Sequence, residues 1–210
     1  LLQLVNEKTK IDWKGRLTQI ISGKEVYPRP VQDKLPLWIA TGGHVESTVK
    51  IAQAGLPIVY AIIGGNPRYF KKLIQAYREI GSEAGHASHE LKVGAHSWGW
   101  IAEDVDQAVK DYFHPTKQVV DAISKDRPHW QELRYEQYLE QVGPNGAMFV
   151  GNPDQVAEKL IRMIEDLNLD RFMLHLPLGS MPHDQVLRAI ELFGTQVAPK
   201  VRAYFAMKES

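Results

Sequence analysis

The fold is decided by residues 37–65, which begin Leu37-Trp38-Ile39-Ala40-Thr41-Gly42-Gly43 and end Pro57-Ile58-Val59-Tyr60-Ala61-Ile62-Ile63-Gly64-Gly65. Each half is an apolar run closed by two glycines. Such runs are typical of strands buried on both faces, and glycine pairs break them. Residues 44–54 and 66–84 follow with apolar side chains at helical spacing. Strand, Gly-Gly and helix thus occur twice, which predicts a parallel sheet covered by helices.

Two later segments extend this pattern. Residues 91–97 and 171–176 are the third and fourth predicted strands. The helices predicted beside them cover about residues 104–142, the segment that starts at Asn152, and the segment from about His183. Pro199 should kink or end the last of these helices, because proline lacks an amide hydrogen.

The strand count points to one α/β domain over residues 1–210. We expect an irregular connector over residues 1–36 and four β/α units over residues 37–210. Four units are half of a TIM-type (β/α) barrel, which typically takes about 250 residues. An open doubly wound sheet is the competing architecture, and the strand pattern alone does not separate the two. Because the first residue is Leu rather than Met, we expect a segment cut from something longer.

Composition excludes several classes of protein. The 25 basic and 25 acidic side chains balance, which argues against nucleic-acid and polybasic membrane binding. No apolar run is long enough to span a bilayer. The absence of cysteine excludes disulfides, thiolate nucleophiles and Cys-type zinc sites, and it is compatible with the cytoplasmic location that we expect.

The first Gly-Gly loop is a candidate anion site. In either architecture, function lies at the carboxyl ends of the strands. Thr41, Gly42 and Gly43 let the backbone approach a ligand and aim helix N-terminal amides outward, which suits a phosphate. Ser47 and Thr48 would add hydroxyl groups. The alternative is a tight turn that needs a positive φ.

The second Gly-Gly loop carries a weaker signal. Gly64 and Gly65 either give room beside a flat ligand or only form a structural turn. The spacing in neither loop matches a Walker loop or the three-glycine dinucleotide fingerprint.

The end of the third strand is a candidate pocket wall. His96, Trp98 and Trp100 would wall a pocket for an aromatic ring, with core or lid packing of the indoles as the alternative. His175, inside the fourth strand, is interpreted as a satisfied core imidazole rather than a catalytic one. His183 is interpreted as a surface or cap residue.

Two other chemistries are not supported. His86 and His89 lie in a loop without an acidic ligand pattern, so we predict no metal site. No Gly-x-Ser-x-Gly elbow occurs, which argues against a serine hydrolase.

Several segments form an ordered set from about residue 27 onward. They are Leu37-Trp38-Ile39-Ala40-Thr41-Gly42-Gly43 with Glu46-Ser47, Ala52-Gln53-Ala54-Gly55-Leu56-Pro57, Ala61-Ile62-Ile63-Gly64-Gly65-Asn66-Pro67, Phe149-Val150-Gly151-Asn152-Pro153, Leu169-Asp170-Arg171-Phe172-Met173 and Glu191-Leu192-Phe193-Gly194. This set resembles the luciferase-like monooxygenase family, which contains the bacterial luciferase subunits and many flavin-dependent oxidoreductases. The resemblance is to the C-terminal half of the family's barrel.

The resemblance implies a cofactor and a reaction. Members look like eight-stranded β/α barrels, often dimeric, that use reduced FMN or a deazaflavin coenzyme. Reduced FMN plus O2 would oxidise a small organic substrate, with a flavin reductase as a further partner. The flavin phosphate would lie at Thr41, Gly42, Gly43 and Ser47. The ring would lie near residues 64–65, where His96 and Trp98 would contact the substrate.

The resemblance also limits which catalytic residues and how much activity are expected of this chain. The family's key active-site histidine and several flavin contacts come from the first half of the barrel, so no catalytic residue is assigned here. We expect little activity from this chain alone. Gly42 and Gly43 stand in place of the acidic–serine pair of luciferase itself, which argues against light emission.

Two other functions stay open. One is a non-catalytic flavin-binding protein that holds the flavin tightly. The other is a flavin-free enzyme that binds a sugar phosphate on the same barrel. A flavin titration separates this last reading from the others.

Overall fold

The computed structural model describes residues 10–32, 35–127 and 130–209, which fall into two compact units, Leu1–Leu37 and Trp38–Ser210. The first unit contains a hairpin of strands β1 (Ile11–Trp13) and β2 (Ile21–Lys24), which pair antiparallel. The Asp12 carboxylate joins the two strands, since its Oδ1 accepts a hydrogen bond from the Gly23 amide at 2.8 Å. This hairpin was not predicted within the irregular connector. The rest of that prediction at residues 1–9 and 33–34 lies outside the described residues.

The second unit alternates strands and helices. Its first half consists of β3 (Ile39–Thr41), α1 (Val45–Gln53), β4 (Ile58–Ala61), a 3₁₀ turn (Pro67–Tyr69), α2 (Phe70–Glu83) and β5 (Val93–Ile101). Its second half consists of α3 (Val105–Asp126), α4 (Tyr135–Val142), β6 (Phe149–Gly151), α5 (Pro153–Leu167), β7 (Arg171–His175), α6 (His183–Leu192), a π-helical turn (Phe193–Val197) and α7 (Ala198–Glu209).

The five strands of this unit form one parallel sheet, which confirms the predicted fold class. Their order is β3-β4-β5-β6, and β7 pairs with β5. Strand β5 is long enough to pair with β4 and β7 along its first part and with β6 at residues 99–101. The four predicted strands are β3, β4, β5 and β7. Strand β6 is an addition, in a segment where the sequence predicted only the helix start that follows it.

The two faces of the sheet differ in burial. One face packs against helices: the Tyr60 ring lies 5.5 Å from that of Phe70 on α2, and its hydroxyl lies 3.2 Å from that of Thr48 on α1. On the opposite face, Val59 and Trp98 are buried, whereas His96 and the other side chains of β3, β4 and β7 are half-buried or exposed. We call this opposite face, with Ala40, Ala61, His96, Met173 and His175, the open face.

Helix ends follow the predicted signals. Asn152 Oδ1 accepts a hydrogen bond from the Gln155 amide at 3.0 Å and caps α5, and Asn66 caps the 3₁₀ turn in the same way through the Arg68 amide. These caps satisfy amides that have no partner within the helix. No helix in the described ranges is both long and apolar enough to cross a membrane.

Two predicted helix limits were wrong. The excursion expected over residues 104–142 is two helices, because the chain leaves helical geometry between Asp126 and Tyr135. Pro199 does not end the last helix. It is the second residue of α7, directly after the π-helical turn, and proline is tolerated in the first turn of a helix.

Candidate functional site

The two Gly-Gly loops leave the sheet at one edge. Strands β3 and β4 are parallel neighbours in which Thr41 pairs with Tyr60, so both strands end at the same side of the sheet. The loops that carry residues 41–43 and 64–65 are therefore neighbouring loops. This is the edge at which parallel α/β sheets bind ligands.

The two glycines of the first loop have different surroundings. Gly43 has a φ of +96°, and a Cβ on it would lie 2.9 Å from Cε1 of Phe70. Both the turn and the packing against α2 therefore require glycine there. Gly42 is exposed, and no atom lies within 4 Å of the place that its Cβ would take.

Helix α1 begins with little side-chain capping. Its N-cap residue, His44, makes no side-chain hydrogen bond to the helix, and the Gly43 amide donates only a long 3.4 Å bond to Thr41 Oγ1. The amides of the first turn thus remain directed outward. Lys50 lies 2.7 Å from the Glu46 carboxylate and, by this hydrogen bond, lowers the Glu46 pKa. The pair reduces the repulsion that Glu46 would exert on an anion.

The two hydroxyls predicted for this site are placed differently. Ser47 is half-buried in the first turn of α1. Thr48 is buried, and its hydroxyl is hydrogen-bonded to that of Tyr60 in the core. The suggestion that Thr48 contributes to an anion site was therefore wrong, since its side chain faces the sheet.

The second loop borders a cavity. No atom lies within 4 Å of a Cβ position on Gly64 or Gly65, and both line a cavity of about 410 Å³. The other lining residues, all close to the carboxyl end of β4, are Ile63, Val120, Trp130, Gln131, Leu133, Gln137, Glu140, Gln141 and Met148. The sequence did not predict this wall, because only the tertiary fold brings its residues, from Val120 to Met148, close to β4.

The aromatic cluster of β5 is mostly internal. Trp98 is 5% exposed and packs against Trp130, with ring centroids 6.5 Å apart. Trp100 stacks on Tyr112 at 5.9 Å, and its indole nitrogen has no hydrogen-bond partner among the described residues. Trp100 is therefore a core residue, which was the alternative to a pocket wall. Trp98 packs against Trp130, which lines the cavity.

Two histidines meet on the open face. The ring centroids of His96 and His175 lie 5.6 Å apart. His96 is half-buried, and burial together with the nearby His175 lowers its pKa below the ordinary 6.5. His175 is exposed, so its interpretation as a core imidazole was wrong. Alternation along β7 fixes the side to which it points, and the side chains of β7 on that side, Arg171, Met173 and His175, are all exposed.

The described residues include side chains of the types that can bind a metal ion. Over the ranges that the structure describes, no three His, Asp or Glu side chains come together in a way that could hold a metal ion.

A comparison with models of protein families identifies a family that matches most of this chain. A family model described as luciferase-like monooxygenase matches residues 1–171 of the chain. No curated protein sequence matches it.

Solved structures share the fold at low sequence identity. A monooxygenase from Streptomyces bottropensis has a TM-score of 0.74 and 19% identity over 94% of this chain and 57% of its own. The coenzyme F420 dependent tetrahydromethanopterin reductase from Methanopyrus kandleri has a TM-score of 0.66 and 17% identity over 94% and 59%. The oxygenating constituent of 3,6-diketocamphane monooxygenase from Pseudomonas putida, in complex with FMN, has a TM-score of 0.60 and 16% identity over 94% and 60%. The chain thus spans less than two thirds of the length of each.

Proposed function

We propose a function from one premise: this chain belongs to the luciferase-like monooxygenase family. It takes part in the oxidation of a small organic substrate by O2 with a reduced flavin. FMN is the first candidate for this reaction, and a similar fold occurs in complex with FMN. A deazaflavin is the second candidate, because a similar fold occurs in a coenzyme F420 dependent reductase, and with it the reaction would be a hydride transfer between cofactor and substrate without O2. The flavin reductase and the homodimer expected from the sequence belong to the same proposal.

The observation that carries this proposal is the free space at three glycines of neighbouring loops. Gly42, Gly64 and Gly65 each have no atom within 4 Å of a Cβ position. Side chains there would fill a space that these loops leave beside the sheet. A flat ring system needs such close access to the backbone, so the edge fits a flavin.

The phosphate of FMN would bind at the start of α1. The outward amides of this nine-residue helix supply donors and the positive end of the helix dipole. The Ser47 hydroxyl and the backbone of residues 41–43 would add hydrogen bonds. Lys50 pairs with Glu46, the carboxylate in this turn, and so lessens its opposition to the phosphate.

The remaining residues position the substrate and limit the access of water. When bound, the flavin supplies the redox chemistry. The apolar side chains of Trp130, Leu133 and Met148 form one wall of the cavity beside Gly64 and Gly65 and would limit the access of water to a bound ring on that side. His96 does not line this cavity. It is half-buried on the open face, and its lowered pKa favours the neutral imidazole, so a contact with the substrate would be made by the part that extends to this face. Trp98 packs against Trp130 and would support this wall, and its contact with the substrate stays a prediction.

A titration with one matched control tests the proposal. Gly64→Ala places a methyl group in the space by the second loop, whereas Gly194→Ala places one in equally open space at the distant π-helical turn. We expect Gly64→Ala to weaken FMN binding, measured by flavin fluorescence, about tenfold, with Gly194→Ala equal to wild type. Equal FMN affinity of the two variants, or no flavin binding by wild type, contradicts the proposal.

A further inference from the structure

The cavity beside Gly64 and Gly65 has a lining that selects one class of ligand. We propose that it binds an uncharged aromatic molecule whose polar groups accept hydrogen bonds. Only the statement that this molecule is the substrate rests on the proposed function. The binding itself follows from the lining residues and does not require a flavin.

The walls of the cavity are apolar and include one flat surface. Trp130 provides an indole, which is supported by Trp98 at 6.5 Å and an interplanar angle of 53°. Leu133 and Met148, which are 8% and 2% exposed, lie on the same lining. About 410 Å³ falls within the usual range of small-molecule sites. A single aromatic ring fits this volume and gains by packing on an indole.

The polar side chains of the lining present donors. Gln137 Oε1 accepts a hydrogen bond from the Arg134 amide at 3.2 Å, as part of the capping box of α4. Gln141 Oε1 accepts a longer one, 3.5 Å, from the Ala147 amide. A backbone amide can pair only with the oxygen of a glutamine side chain, so the orientation of both groups is fixed. The NH2 groups of Gln137 and Gln141 are left to donate to a ligand, whereas Gln131 and Glu140 of the same lining can also accept hydrogen bonds. A ligand with acceptor groups pairs with the two oriented amides.

Charge on the lining disfavours anions. Glu140, which is exposed, is the charged side chain among the described lining residues, and no described Lys or Arg joins it. The nearby side chain of Lys159 does not line the cavity. Its Nζ donates to the carbonyl oxygens of Gln141, Val142, Gly143 and Met148 at 2.6–3.4 Å. A carboxylate in the cavity would accept from the amide donors but would be repelled by Glu140, and an ammonium would pair with Glu140 but would face the amide donors. A neutral acceptor avoids both conflicts.

Three probes of similar size test this selectivity. Acetophenone, benzoate and benzylamine share one ring and differ in charge. Calorimetric titration of the purified chain without flavin should give acetophenone an affinity at least tenfold higher than the other two. Similar affinities, or a preference for benzoate or benzylamine, overturn the inference. Because no flavin is present, this outcome is independent of flavin binding, which the FMN titration measures separately.

Gln137→Glu isolates the amide donors. The carboxylate can still accept from the Arg134 amide, so the start of α4 is kept while both N–H donors are removed. We expect acetophenone binding to weaken about tenfold, the effect of one lost hydrogen bond. Glu136→Gln, on the same helix but outside the lining, should leave it within twofold. Unchanged acetophenone binding in Gln137→Glu, with helix content intact by circular dichroism, contradicts the inference.

Discussion

The imidazoles of His96 and His175 face each other across neighbouring strands of the sheet, with ring centroids 5.6 Å apart on the open face. Parallel pairing produces this contact, since Trp98 is opposite His175 and His96 is opposite Met173. Two imidazolium groups this close repel each other, and this repulsion disfavours protonation of His96.

This pair makes stability depend on pH. Burial first, and the His175 charge second, place the His96 pKa below 6.5, so the unfolded chain binds a proton before the folded one. The contribution of His96 to stability is full above about pH 6.5 and is lost as the pH falls through its folded pKa. In NMR titrations, His96 should titrate below 6.5, and His175→Phe should raise its pKa only in part. A wild-type His96 pKa at or above 6.5 contradicts this expectation.

The two glycines of the first loop should respond differently to alanine. Gly43→Ala adds a Cβ at a φ of +96° and 2.9 Å from Phe70, which should cost about 2 kcal/mol of unfolding free energy. Gly42→Ala meets no atom within 4 Å and should change stability by less than about 0.5 kcal/mol. Urea denaturation measures both. Equal losses of stability would mean that the Gly43 turn is not the strained one.

Lys159 should be important for stability. Lys159→Met leaves the carbonyls of Gln141, Val142, Gly143 and Met148 without this donor, which should cost about 2 kcal/mol at about pH 10. At that pH the cost of removing the proton from Lys159 on folding is small and does not offset the loss. Lys50→Met, which removes an exposed ion pair, serves as the control and should cost less than about 0.5 kcal/mol. If the two variants unfold at the same urea concentration, the four carbonyl bonds do not stabilise the fold.

The same lysine predicts a pH effect. Burial lowers the Lys159 pKa to about 7, whereas the unfolded side chain keeps its proton up to about 10.5. Between these two values the unfolded state binds more protons, so the unfolding free energy should rise with pH more steeply in wild type than in Lys159→Met. Parallel curves for the two proteins between pH 7 and 10 would refute the lowered pKa.

The cap of α5 gives a smaller effect. Asn152→Ala removes the oxygen that accepts from the Gln155 amide and should cost about 1 kcal/mol, whereas Asn152→Asp keeps an acceptor and should cost less. Thermal unfolding of the two variants measures this. An alanine variant as stable as the aspartate variant would show that the cap contributes little.

Local signals in the sequence were sufficient for most of the second unit. The apolar runs of β3, β4, β5 and β7 predicted parallel strands correctly, and Asn66 and Asn152 marked helix starts correctly. The expected burial holds for β4 and β5 but was wrong for β3, whose residues are half-buried or exposed. The strand positions and helix starts depend on neighbouring residues, which is why the sequence reveals them.

Features that depend on distant or weak contacts were missed. The hairpin at residues 11–24 and the three-residue strand β6 are too short for a periodic pattern. The wall of residues 120–148 meets Gly64 and Gly65 only through tertiary packing. Alternation along β7 places His175 on one face, but the sequence does not show which face the helices cover.

A comparison of FMN with riboflavin, which lacks the phosphate, tests directly whether the loop of residues 41–43 binds the flavin phosphate. Both are titrated into wild type and into Gly42→Val, whose side chain would occupy the space at the start of α1. We expect wild type to bind FMN at least tenfold more tightly than riboflavin, and Gly42→Val to lose most of that difference. Equal affinities for FMN and riboflavin in wild type, or the same FMN preference in both proteins, would contradict phosphate binding at this loop.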